Sequence, residues 1–224
     1  MQYGSTIGIK FYEDGRVRQF KGNTVVADVV PGSSAFQTMC ALRQMVIDAG
    51  LDDYLILMPE DSYHITYISG FNDQQRIDDY WPEDSVFSRS ASMEEADDYV
   101  SAAIARVGIP GPARMQFDNV GWGAGCCIIR LKPADENEHK RLFDFRDKAA
   151  ETMGVHRPNH EKYRFHITLG YTRVIPEGEA EQRKQKLKEA MDALMAKQPE
   201  FMTTQAYMAY FDDMYAFSPT RIPR

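Results

Sequence analysis

Two of the five histidines sit in the same tripeptide, His64-Ile65-Thr66 and His166-Ile167-Thr168, one in each half of a 224-residue chain. Both are bracketed by apolar residues, Tyr63 and Tyr67 in the first case, Phe165 and Leu169 in the second. In an extended strand, side chains alternate faces, so residues two apart share a face at about 6–7 Å. Phe165, Ile167 and Leu169 then anchor one side while His166 and Thr168 occupy the other; Tyr63, Ile65 and Tyr67 oppose His64 and Thr66 in the same way. A hydroxyl can donate to a phosphoryl oxygen, and an imidazole takes or gives a proton near neutral pH. Two such strands facing one phosphate would supply a base for the attacking oxygen and an acid for the leaving oxygen, each worth ~10²- to 10⁴-fold in rate. Average composition produces two such settings among five histidines on the order of once in a thousand chains. The pair reads as a site.

The elements that must position these strands follow from turns, caps and apolar periodicity. Residues 7–12 and 16–20 around Glu13-Asp14-Gly15 read as a hairpin, and Gly22-Asn23 as a further turn before a β-branched strand over 24–30. Ser33 or Ser34 caps a helix that Gly50 stops. Short strands over 54–58 and 63–68 come next, then a short helix over 72–80 and a helix over 92–107 opened by a Ser92-to-Glu95 capping box. Residues 108–112 break the chain near its midpoint. The second half offers strands over 115–120 and 126–131, amphipathic helices over 135–153 and 179–197, the second His-Ile-Thr strand over 163–171, and an aromatic final strand over 206–217. Each half thus holds a strand, a helix and a His-Ile-Thr strand. This points to one bilobal domain over 1–224, one lobe at about 20–107 and the other at about 113–217.

Charge narrows the partners. With 26 basic against 33 acidic residues, the net charge is −7, whereas a grip on long nucleic acid draws on many Lys and Arg at phosphates. A long track is disfavoured; a small nucleotide or an RNA end in a locally basic pocket is not. Cys40, Cys126 and Cys127 show neither a CxxC pattern nor zinc spacing, and read as free thiols. Residues 1–10 carry no signal pattern and no apolar run approaches membrane length. The expectation is a soluble, cytoplasmic monomer without membrane contact.

The paired His-x-Thr strands, about a hundred residues apart, resemble the two-histidine (2H) phosphoesterase superfamily, which includes RNA 2′,5′-ligase-like proteins and cyclic phosphodiesterases. The stretch from Asp14-Gly15-Arg16 through Gly22-Asn23-Thr24, and Ser62 to Gly70 followed by Asn72-Asp73, look like a subfamily known as a domain of unknown function. The resemblance implies an α/β chain of α+β type, with two antiparallel sheets forming a central cleft and helices outside. It also implies His64 and His166 as acid and base, Thr66 and Thr168 as phosphate ligands, and no metal or other cofactor. The near-symmetry leaves the two histidine roles interchangeable.

Other residues could serve that site. Lys162 and Arg164 precede His166 on its face, and Arg164 could clamp a phosphate through two oxygens. Gly170 would leave room for a ligand. Tyr67, Tyr171 and Trp122 are candidates to stack on a base, although most aromatic residues in strands are core, and Arg173 stands just past the second motif. His156 and His160 have helical metal spacing, but Pro158 between them spoils the helix. His139, the acidic pairs at 94–95 and 97–98, and the basic cluster Arg183, Lys184, Lys186 and Lys188 read as solvated helix faces. The function expected is metal-independent hydrolysis of a small nucleotide or RNA-end phosphodiester, a 2′,3′-cyclic phosphate or a 2′,5′ or 3′,5′ linkage. The alternative is a non-catalytic nucleotide- or RNA-end-binding module using the same cleft.

Overall fold

The computed structural model describes residues 1–221. Three of the four described α-helices begin where a side chain satisfies free backbone N–H groups. Ser33 accepts the Phe36 N–H at 3.2 Å and opens α1 (Ser34–Asp48). Ser92 and Glu95 form a reciprocal capping box on α2 (Met93–Val107), at 3.1 and 2.7 Å. Asp135 caps α3 (Glu136–Met153), and Gly154 stops it in the left-handed conformation that glycine adopts freely. The last helix, α4 (Glu179–Met195), follows the second His-Ile-Thr strand. None of the described helices is long and apolar enough to cross a membrane.

Among the described residues, eight strands form two antiparallel sheets. One runs in the order β3 (His64–Asn72), β1 (Gly22–Asp28), β8 (Tyr207–Phe211). The other runs β2 (Leu55–Leu57), β6 (His166–Thr172), β5 (Cys126–Pro133), β4 (Arg114–Trp122), β7 (Phe201–Met202). The expected α+β architecture with two antiparallel sheets is what the chain adopts. The sheets do not divide at residues 108–112, however. β2 comes from the first half and joins the second-motif sheet, while β8 comes from the C-terminal end and joins the first-motif sheet. One continuous apolar core runs beneath both.

The two motif strands are built alike, down to an irregularity. In β3, Val26 pairs with Thr66 and Val25 with Ile68, so Tyr67 is an extra residue. In β6, Ile128 pairs with Thr168 and Cys127 with Gly170, so Leu169 is extra. Each bulge follows the motif threonine and shifts the alternation by one residue. Both strands consequently bury their side chains in the same order: His64, Thr66 and Ser69 are half-buried in one, His166, Thr168 and Tyr171 in the other.

Four local expectations are corrected. The hairpin around Glu13-Asp14-Gly15 is shorter than expected, one antiparallel bridge of Phe11 with Val17 flanked by Tyr12–Arg16 and Arg18–Lys10 backbone bonds, and the chain before it turns at Gly8, φ +84°. Gly22 and Asn23 open β1 instead of turning: Asn23 is buried, donating to Asp97 at 2.9 Å and accepting the Phe71 N–H at 2.9 Å. Residues 73–80 form turns and bends and no helix: Asn72, which ends β3, accepts the Gln74 N–H at 3.1 Å, and Asp79 adopts φ +67°. The final strand stops at Phe211, six residues short of the expected end.

Candidate active site

The half-buried faces of β3 and β6 meet across one cavity of about 580 Å³, a size suited to a nucleotide. His64, Thr66, His166 and Thr168 all line it. Each imidazole is held the same way. His64 Nδ1 lies 2.7 Å from the Ser62 carbonyl and His166 Nδ1 lies 2.9 Å from the Arg164 carbonyl. A carbonyl can only accept, so Nδ1 carries the proton in both rings and Nε2 is left as the free acceptor. A single 3-10 turn precedes each motif: Glu60–Ser62 ends on the residue that supplies the first carbonyl, and His160–Lys162 ends two residues before Arg164. Phe217 packs on the His64 ring at 4.2 Å between centroids, and Tyr163 lies 6.2 Å from the His166 ring.

Burial pushes the His64 imidazole down to about 4; the Ser62 carbonyl opposes this and the neighbouring His166 adds to it. His166 is also lowered, first by burial, against the Arg164 carbonyl, with Arg130 and Lys10 contributing positive potential. Both rings are therefore neutral at pH 7 while no anion lies between them.

The open edge of β3 is closed by side chains from the second half. Tyr163 Oη donates to the Thr66 carbonyl at 3.0 Å. Arg146, itself buried and stacked 3.7 Å from the centre of the Tyr163 ring, donates to the Tyr67 carbonyl. Arg157 donates to the Gly70 carbonyl and lines the cavity. Burial lowers Arg157 to about 10.

Several expected helpers lie elsewhere. Arg164 is exposed and outside the cavity, because β6 begins only at His166 and strand alternation does not extend back to it; only its carbonyl takes part. Lys162 is exposed in the 3-10 turn. Tyr67 is the bulged residue and fully buried, with its hydroxyl on Thr203 Oγ1 at 3.1 Å. Trp122 is buried away from the cavity, 6.0 Å from the Lys184 ammonium. Gly170 makes room for β2 and not for a ligand: a Cβ there would approach the Ile56 carbonyl oxygen to 2.9 Å. Arg173 holds the Glu13 carbonyl at 2.9 Å. Tyr171 does line the cavity.

The cavity also holds residues that the sequence did not single out. Ser69 joins the His64 face through the bulge. Phe20, Phe211 and Phe217 form an aromatic wall, and Asn72, Gln74 and Gln75 bring amides. Among the described residues, Lys10 and Arg157 are its cations. Arg157 lies between His156 and His160. In the fold His160 pairs with Asp147 at 2.9 Å, and among the described residues no group of three or more His, Cys, Asp or Glu is placed to hold a metal ion.

A family model named 2H-phosphodiest, described as a domain of unknown function (DUF1868), matches residues 10–125. No curated protein matches the chain in sequence. Among solved structures, the conserved protein of unknown function ATU0111 from Agrobacterium tumefaciens is 25% identical, with a TM-score of 0.86 over 97% of this chain and 91% of its own. E. coli LigT complexed with 3′-AMP is 12% identical, with a TM-score of 0.51 over 91% of this chain and 97% of its own, a likeness of fold alone. The family match takes in 116 of 224 residues, including the first motif and its strand. The chain belongs to the 2H-phosphodiesterase family described as a domain of unknown function.

Proposed function

We propose that this protein hydrolyses a phosphodiester of a small nucleotide or an RNA end without a metal, with His64 and His166 as the proton-transfer pair. The observation that carries this reading is the convergence of both His-x-Thr faces on one cavity, each imidazole fixed with Nε2 free. One neutral Nε2 takes the proton of the attacking water as its oxygen bonds to phosphorus. The other ring, protonated, gives its proton to the leaving oxygen as that P–O bond breaks. Thr66 and Thr168 hydroxyls donate to the non-bridging oxygens and hold the phosphorus between the rings. The anion itself supplies the missing charge: a phosphate in the cavity favours the imidazolium that burial otherwise disfavours, so binding arms the acid.

The aromatic wall and the amides suit a nucleobase, and Tyr171 is the one stacking candidate from the motif strands that reaches the cavity. LigT was solved with 3′-AMP, which suggests mononucleotides as a first ligand class to screen. A cytoplasmic setting goes with this reading, since Cys40, Cys126 and Cys127 are all free thiols.

The test is a panel of 2′,3′-cyclic phosphates and 2′,5′- and 3′,5′-linked dinucleotides in EDTA, with products read by mass spectrometry. His64→Ala and His166→Ala should each lower turnover by ~10²- to 10⁴-fold with the fold intact. Near-full turnover by either variant would refute the assignment. Saturable binding of the panel without any product would favour the binding-module alternative.

A further inference from the structure

The segment before β1 has no regular structure, yet it is pinned at both ends. Gly4 N–H bonds the Arg173 carbonyl at 3.0 Å and Ser5 N–H bonds the Ala124 carbonyl at 2.8 Å. At the other end, Phe20 N–H bonds the Asp212 carbonyl at 2.7 Å. Between these anchors Phe11 is fully buried, 4.9 Å from the Tyr171 ring and 6.0 Å from Tyr215. The strap therefore crosses the Tyr171 end of the cavity with one apolar side chain driven into the core.

The residue next to that plug is Lys10, and its surroundings are unusual for a lysine. Its ammonium lies in the cavity wall, 3.4 Å from the Tyr171 hydroxyl and 4.9–5.0 Å from the ring centres of Tyr171 and Phe20. Among the described residues it has no ion-pair partner, although the chain carries 33 acidic residues. Three N–H donors meet one long hydrogen bond and two ring faces. Burial lowers Lys10 to about 8, and its charge reaches His166. Desolvating a cation without a counter-ion is unfavourable, and an arriving anion relieves that cost. Arg157 stands in the same condition by the Gly70 carbonyl, close to the corresponding end of β3. The cavity thus has a cation past each motif threonine, at places related by the likeness of the two strands.

We propose, building on the hydrolase reading, that Lys10 is a substrate-contacting residue whose ammonium takes a phosphate oxygen, delivered by a strap that closes the Tyr171 end of the cavity. The oxygen belongs to the scissile phosphate or to a second phosphate on the same substrate; the chemistry is the same and the experiment separates them.

The probe is inorganic phosphate, titrated calorimetrically into the full chain, so that no turnover is needed. Lys10→Met should weaken phosphate ~10- to 100-fold, the range for a lost hydrogen bond between charged groups. Lys10→Arg should stay within a few-fold of wild type. A folded Lys10→Met that binds phosphate like wild type would overturn the proposal. If Lys10→Met does not fold, wild-type protein is treated with an amine-acylating reagent and Lys10 is followed by peptide mass. Slowed labelling under phosphate supports the contact, and unchanged labelling overturns it. Once a substrate is known, equal losses of kcat/KM by Lys10→Met on diesters with and without an extra terminal phosphate place the ammonium on the scissile group. A larger loss on the substrate with the extra phosphate places it on the second. Lys10-dependent phosphate binding with no cleavage of any diester would leave this contact standing while the hydrolase reading fell. Absence of phosphate binding by wild type would overturn the Lys10 contact and leave the hydrolase reading to its own turnover test.

Discussion

In the free protein His64 should stay unprotonated until about pH 4. The cause is burial in the cavity wall, partly offset by the Ser62 carbonyl at 2.7 Å. The gap from the ordinary imidazole value of 6.5 corresponds to about 3 kcal/mol. Because the folded value lies below the unfolded one, the unfolded chain takes up a proton first as the pH falls. Stability is therefore lost from about 6.5 downwards, and the full loss from this residue is reached below about 4. At pH 5 an unfolded histidine is almost wholly protonated and His64 about one-tenth so, which makes the loss relative to pH 7 about 2 kcal/mol. His166, lowered in the same direction, adds to it. Two measurements check this. A proton NMR titration of the imidazole C–H signals, assigned with His64→Gln, should show the His64 ring moving by only about a tenth of its full shift between pH 7 and 5. Urea unfolding at the same two pH values should show a smaller drop in stability for His64→Gln than for wild type. Inorganic phosphate should then pull the ring's titration upward, since the bound anion favours imidazolium. A His64 signal titrating near 6.5 in the free protein, or an equal drop in stability with and without His64, would refute the reasoning.

Two further outcomes are expected. Thr66→Val and Thr168→Val remove a phosphate donor while keeping the strand, and each should raise the KM of a cleaved substrate or the Kd of phosphate about tenfold with little change in unfolding midpoint; unchanged affinity in both would detach the hydroxyls from the phosphate. Gly70→Ala places a Cβ 1.9 Å from Asn23 Oδ1, which is itself held by the Phe71 N–H. It should cost roughly 2–4 kcal/mol in urea unfolding by overpacking and by breaking the buried Asn23 bonds, and a loss under about 0.5 kcal/mol would show that the strand pair can part there.

The motif residues were legible because short-range alternation places them, and it holds over three residues. His64 with Thr66 and His166 with Thr168 share a face in the fold as strand geometry requires. One step further the bulges at Tyr67 and Leu169 break the rule. Strict alternation puts Ile68 and Gly170 beside the threonines, whereas the fold puts Ser69 and Tyr171 there. Nothing local in Thr66-Tyr67-Ile68 or Thr168-Leu169-Gly170 signals an extra residue; pairing with β1 and β5 decides it. Arg164 was misplaced for the complementary reason, alternation having been extended back past the start of β6. Lys10 and Arg157 were invisible because their cavity positions depend on long-range anchors, the Phe11 plug and the Gly70 carbonyl, which no spacing reveals. Helix caps, being local, were readable almost to the residue.

The exchange of β2 and β8 between the two halves bears on how the molecule can move. Prising the lobes apart would mean tearing main-chain ladders, β2 from β6 on one side and β8 from β1 on the other. Side-chain contacts yield gradually, but such ladders part cooperatively and at high cost. Main-chain pairing thus opposes a change in the separation of the two sheets that carry the imidazoles. A molecule that reaches the histidines has to fit between those sheets, with the N-terminal strap as one wall.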